Sequence, residues 1–311
     1  MQKIVTIGGG TGHFQVLRGL KNYECLITAV VSVADDGAQG GTSSGRLRDE
    51  YGVLPPGDAR QCLIALADEH EGKVLRELFK FRFNDDHNLG NLIITALTKI
   101  MGSDVQGLKE AAKLLKIAGN VIPVSTDNVL LCAETMEGQT IKTQWTVSYP
   151  GEGIHIKRIF FNQDAFLFKE AAEALNNADK IVICPGDLYG SILPNFLVKG
   201  IKEALQKSNA IKIYVCNLVT KQGNENFKAS DFVREVESYS GIKLDKIILN
   251  TDKPSQAVLD KYFSEKSRIV EDDLSNDSRV VRGDFAAAYP SEPKTILRHV
   301  PEKIARAIIS L

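Results

Sequence analysis

No sign of charge dominates this chain: 38 lysines and arginines stand against 39 aspartates and glutamates in 311 residues, a formal net charge of −1. The summed field gives no bias toward nucleic acid or an anionic membrane, so any anion must be held by a local site. Cysteine is scarce too. Cys25, Cys62, Cys132, Cys184 and Cys216 are odd in number, scattered through apolar contexts and form no CxxC pair, which fits reduced core residues better than disulfides or a zinc site. No apolar run reaches membrane-spanning length, and the opening MQKIVTIGGG lacks the apolar core of a signal peptide. The expected location is the cytoplasm, with no membrane insertion and no nucleic-acid partner. Repeats, low-complexity segments and Pro/Ser-rich linkers are absent as well, so we expect one domain over residues 1–311 rather than two. What is present is 43% hydrophobic and 25% charged residues, the composition of a globular protein with a sizeable core.

Strand and helix patterns alternate along the chain. KIVTI (3–7) and LITAVVSV (26–33) are apolar, β-branched runs of the kind buried on both faces of a parallel sheet, and HFQVLRGLK between them supplies a crossover helix. Residues 58–119 read as an uninterrupted helical excursion, and residues 121–161 as a small antiparallel β insert around Glu137-Gly138. The alternation then resumes: a helix near 165–177, strand KIVICPG, one helix over SILPNFLVKGIKEALQ, strand IKIYVCN, helix SDFVREVESY, strand DKIILN, helix SQAVLDKYF and a final helix PEKIARAIISL. The fold class is α/β, doubly wound, with a mostly parallel sheet.

In such sheets ligands sit at the C-terminal strand ends, where loops meet helix N-termini. GGGTG, Gly8, Gly9, Gly10, Thr11 and Gly12, turns sharply there and brings backbone N–H groups near a phosphate. Taken as G-x-G-x-x-G, it places His13 where the third glycine belongs, which disfavours an ordinary NAD(P) dehydrogenase. After the second strand, VADDGAQGGTSSGRLRDE offers Asp35 and Asp36 for a ribose hydroxyl or a hard cation such as Mg²⁺, and Ser43, Ser44, Arg46 and Arg48 for phosphate. A solvated loop with the arginines paired to Asp49 and Glu50 is the bland alternative. Asp58 reads either as the N-cap of a capping box with Gln61 or as a further metal carboxylate. His87, Asn88 and Asn91 open an apolar helix and suit either a cap or a sugar or phosphate group. In the second half, CPGDLYGSILPNF presents Ser191 and Asn195 from a helix start, and Asn217 and Thr220 end the next strand on the same edge, suggesting a cleft between the halves. No Ser-His-Asp or Cys-His arrangement is legible.

These blocks, GGGTG with RGLK, VADDG with SSGRLRDE, LPPGDARQCLIALAD, HNLGNL, PGDLYGSILPN, YVCNLVT and ASDF, resemble in order the signature blocks of the bacterial gluconeogenesis-factor family, whose superfamily includes 2-phospho-L-lactate transferase. The resemblance spans nearly the whole chain. It implies a Rossmann-like fold, a small-molecule nucleotide ligand of the UDP-sugar class such as UDP-N-acetylglucosamine, with NAD(P) left open, and a part in cell shape and wall synthesis during gluconeogenic growth, with a protein partner. It also implies phosphate contact at Gly8–Gly12, a divalent metal such as Mg²⁺ at Asp35 and Asp58, closure of Gly186, Asp187, Leu188, Ser191 and Asn195 over the nucleotide, and diphosphate contact at Arg298. Three departures stand out: Ala38, Gln39, Gly40, Gly41 and Thr42 lengthen the acidic loop, Asp187 replaces the usual serine, and Phe232 replaces the usual histidine. A carboxylate at 187 repels a diphosphate unless a cation intervenes. Two readings follow: a ligand-responsive regulator, or a Mg²⁺-dependent transferase acting on a deazaflavin acceptor.

Overall fold

A computed structural model of the chain describes residues 1–35, 43–69, 72–84, 87–291 and 294–311. Its strands are β1 (Gln2–Gly8), β2 (Cys25–Val31), β3 (Asn120–Pro123), β4 (Leu131–Thr135), β5 (Thr140–Lys142), β6 (Ile156–Phe161), β7 (Lys180–Ile183), β8 (Ile211–Val215), β9 (Lys246–Asn250), β10 (Val280–Gly283), β11 (Ala286–Ser291) and β12 (Lys294–His299). The helices are α1 (Gly10–Leu20), α2 (Ser43–Tyr51), α3 (Pro56–Leu66), α4 (Lys73–Lys80), α5 (Leu89–Met101), α6 (Asp104–Leu114), α7 (Gln144–Ser148), α8 (Lys169–Asn176), α9 (Ile201–Lys207), α10 (Ala229–Ser240), α11 (Gln256–Ser264) and α12 (Pro301–Ser310).

Seven strands form one parallel sheet in the order β10-β9-β8-β7-β1-β2-β3. From β1 the chain winds outward through β2 to β3, then returns to lay β7 on the other side of β1. The winding reverses between β1 and β7, and a crevice opens at such a reversal beyond the carboxyl ends of the strands. Side chains along β1 alternate between two cores, with Val5 and Ile7 on one face and Ile4 on the other. Helices α1, α3 and α12 cover the second face, while α8, α9, α10 and the antiparallel sheet β5-β4-β6 cover the first.

The antiparallel insert is shorter than the sequence suggests. Val121 and Ile122 belong to β3, which pairs in parallel with Thr28–Val31 as an edge of the main sheet, so the insert starts at Leu131. Within it, QWTVS is helical rather than extended, entered through Thr143, whose Oγ1 accepts the Thr146 N–H at 3.2 Å. SILPNFLVKGIKEALQ is not one helix either: a π turn (Leu188–Ile192) and a 3₁₀ turn (Leu193–Leu197) precede α9, and Gly200 takes φ +95° at the break, a conformation natural only to glycine. The helix α2, edge strand β10 and hairpin β11-β12 were not anticipated.

Candidate functional site

The crevice at the winding reversal is a cleft of about 360 Å³, walled by the start of α1, the turn after β7, the loop after β8, helix α7 and strand β12. Backbone contact fixes its floor. A Cβ on Gly12 would lie 1.9 Å from the Pro185 carbonyl oxygen, so only glycine lets the loop after β1 meet the turn after β7. Gly10 sits at φ +66° and, with Thr11 and Gly12, lines the cleft at the N-terminal end of α1, where the helix dipole favours an anion. His13 does not face this space. It is fully buried, bonded through Nε2 to Thr6 Oγ1 at 2.7 Å and 3.6 Å from Cys62 Sγ through Nδ1, and burial pulls its pKa down to about 4, so it is neutral.

Two carboxylates flank the glycine loop. Asp58 is not the N-cap of α3, a position held by Pro55; it lies in that helix's first turn and its Oδ1 accepts the Gly10 N–H at 2.8 Å, so it serves the start of α1 instead of a capping box with Gln61. Asp35 is its neighbour across Gly57, where a Cβ would come within 2.7 Å of Asp35 Oδ2. Burial, and then the charge of Asp35, raise the Asp58 pKa to about 7, against the opposing pull of the Gly10 N–H and Arg60. Among the described residues no group of three or more His, Cys, Asp or Glu side chains is clustered for a metal. A two-carboxylate pair still suits Mg²⁺, which keeps waters and takes phosphate oxygens as its remaining ligands.

The opposite wall is cationic. Asp187 accepts the Gly190 N–H at 2.8 Å, capping the π turn, and accepts Lys221 Nζ at 2.9 Å. The cation that a carboxylate at position 187 requires is thus Lys221, from the loop after β8. Burial disfavours its ammonium, but Asp187 and then Tyr149 override this and raise its pKa. Arg298 lines the cleft from β12, just before the last helix, and forms no ion pair among the described residues. Asn217 donates Nδ2 to the Gly186 carbonyl at 2.6 Å and accepts the Tyr214 hydroxyl at 3.0 Å, fixing the turn that carries Asp187. Gly186, Leu188 and Ser191 line the same wall. Sequence reasoning missed Lys221, His299, Trp145, Tyr149 and Gln15, whose Oε1 is buried without a partner among the described residues. The KQGNEN loop was a signal for Lys221; nothing local marked the others.

Other expected residues serve the scaffold. Asn88 is fully buried and caps α5, accepting the Asn91 N–H at 3.1 Å, while Asn91 Oδ1 accepts Arg60 Nε at 2.8 Å. Neither they nor His87 line the cleft. Asn195 is buried, donating Nδ2 to the carbonyls of Ser191 and Ile192, and Thr220 Oγ1 accepts the Arg268 N–H. Ser44 Oγ accepts the Gly57 N–H at 3.0 Å, and Arg48 pairs with Asp49, as the bland alternative had it; Arg46, on α2, lies outside the cleft lining. Phe232 is a core residue, edge-to-face with Phe227 at 5.6 Å. Gly8 and Gly9 are buried beneath the cleft, Gly9 against Asp58. Asp36, the lengthened loop at 38–42 and the Ser43 side chain lie outside the described residues. Among those residues no helix is long and apolar enough to cross a membrane.

Residues 4–286 match the family described as 2-phospho-L-lactate transferase CofD. The gluconeogenesis factor of Halalkalibacterium halodurans is 39% identical over 316 residues, covering 99% of this chain and 96% of that protein. That of Bacillus subtilis is 37% identical over 321 residues, covering 99% and 98%. A crystal structure of a protein from Bacillus halodurans superposes with a TM-score of 0.91 at 36% identity over 99% of both chains. A parallel sheet whose strand-end loops meet at one cleft, matched over its full length by these relatives, belongs to the 2-phospho-L-lactate transferase CofD family, in its gluconeogenesis-factor group.

Proposed function

We propose that the cleft binds a nucleotide sugar of the UDP-N-acetylglucosamine class and that the protein is a cytoplasmic, ligand-responsive regulator acting on cell shape and wall synthesis during gluconeogenic growth. The observation that carries this reading is that Lys221 and Arg298 line one cleft of about 360 Å³ together with Gly10, Thr11 and Gly12 at the start of α1, a size within the range of small-molecule sites. A diphosphate between them receives charge-assisted hydrogen bonds from the cations and the helix dipole from α1. The relatives' name, gluconeogenesis factor, supports the physiological setting. Binding then shifts the population of a conformer that a protein partner in wall synthesis reads.

A second reading, a Mg²⁺-dependent transferase of the phospholactyl-nucleotide type, is favoured by the Asp35–Asp58 pair and by the family match. Asp35 and Asp58 would hold the cation, whose chemistry is neutralisation of phosphate charge. Asp58 also holds the α1 amide in place, Lys221 and Arg298 orient the phosphates, and the chain contributes positioning and electrostatics.

Titration with UDP-N-acetylglucosamine, GDP and NAD(P), with and without Mg²⁺, tests both. Saturable UDP-sugar binding without product supports the regulator; turnover of a nucleotide donor on addition of a deazaflavin acceptor replaces it with the transferase.

A further inference from the structure

The antiparallel insert places aromatic surface on the cleft. Trp145 on α7 and Tyr149 at its C-cap stack at 4.5 Å between centroids with a 42° tilt. Both line the cleft and both are large exposed aromatics, 45% and 44% accessible. The helix that carries Trp145 and ends at Tyr149 is held at both ends. Its N-cap Thr143 sits at φ +84°, a strained value for a β-branched residue, and is tied by its hydroxyl to Thr146. Its far end presses on Gly190, where a Cβ would lie 2.2 Å from Ser148 Oγ. Gly190 belongs to the same turn that Asp187 caps, and Asp187 holds Lys221, whose ammonium stands 5.4 Å from the Tyr149 ring centroid. The aromatic face and the Lys221 ammonium are therefore positioned by one turn.

We infer that Trp145, backed by Tyr149, is the platform on which the base of the nucleotide stacks, with the first phosphates lying beside Lys221. Aromatic rings accept any base face, because stacking does not read hydrogen-bond edges. The insert thus supplies affinity for a nucleobase, while the glycine loop and the cations supply affinity for phosphate. This inference rests on the nucleotide-binding reading above and adds where the base lies.

Trp145 is the sole tryptophan, so its emission reports on this position alone. The test compares UDP-N-acetylglucosamine with inorganic pyrophosphate, by intrinsic fluorescence and by calorimetry, on the wild type, Trp145→Phe and Trp145→Ala. The nucleotide sugar is expected to change Trp145 emission and pyrophosphate to leave it unchanged. Trp145→Ala weakens the nucleotide sugar by about tenfold or more, Trp145→Phe by under about threefold, and neither alters pyrophosphate affinity. Saturable binding that leaves emission unchanged and Trp145→Ala unaffected overturns this inference alone. Equal weakening of both ligands also overturns it, since Trp145 would then act only through the wall it braces. No binding of the nucleotide sugar by the wild type overturns both this inference and the reading on which it rests.

Discussion

Gly12 and Asp58 make the residue-scale case because each is constrained from two sides. At Gly12 a methyl group would overlap the Pro185 carbonyl, so Gly12→Ala must separate the loop after β1 from the turn after β7. Overpacking of this kind costs about 1–3 kcal/mol, and we expect a lower thermal midpoint together with weakened nucleotide binding. At Asp58 the folded-state pKa is raised above its ordinary value to about 7. The folded protein then holds a proton that the unfolded chain releases, so stability falls as pH rises from about 4 to about 7 and stays reduced above that. Asp58→Asn keeps an acceptor for Gly10, so it is expected to flatten this slope and to raise the thermal midpoint at pH 8 relative to wild type. If the pair holds Mg²⁺, added Mg²⁺ stabilises the wild type at pH 8 and leaves Asp58→Asn unmoved. A third test concerns Asp187, whose carboxylate competes with a ligand phosphate for Lys221. Asp187→Ser retains a capping oxygen for Gly190 and frees the ammonium, so diphosphate affinity rises a few-fold, whereas Lys221→Ala lowers it by about tenfold, measured by calorimetry.

At the scale of elements, α7 is held by its Thr143 cap at one end and by contact with Gly190 at the other. Gly190→Ala drives a methyl into Ser148 Oγ, displacing α7 while leaving the core strands in place; the near-ultraviolet circular dichroism of Trp145 should change with little loss of thermal stability. The element is also a fair example of what the sequence did and did not disclose. β1, β2, α1 and the strands β7, β8 and β9 were legible because each is a continuous apolar or amphipathic stretch bounded by turn residues. QWTVS reads as a strand by propensity, and its helix exists because Thr143 and Gly190 hold it in tertiary context. SILPNFLVKGIKEALQ has helical periodicity throughout, and the break at Gly200 shows only in the backbone. The hairpin β11-β12 has no strong alternation, yet it delivers Arg298. In the site, glycine loops and acid pairs were readable because local chemistry demands them. The loop that carries Lys221 was readable though the lysine itself was not singled out, and Trp145 and Tyr149 were not readable, because they reach the cleft from an insert far away in sequence. Asn88 and Asn91 carry site-like chemistry but are consumed by a helix start and by Arg60.

Over the whole molecule, near-neutral net charge leaves binding to the cleft itself. The winding reversal between β1 and β7 brings the glycine loop to the Pro185 turn, and the loop beyond β8 and strand β12 complete the enclosure with Lys221 and Arg298. If that enclosure is a diphosphate site, both cations bear on one ligand. Calorimetric titration of UDP-N-acetylglucosamine into wild type and Arg298→Ala measures this directly. Saturable one-to-one binding by the wild type, weakened about tenfold or more in the variant, is the predicted result; no saturable binding by the wild type, or equal affinity in the two proteins, contradicts it.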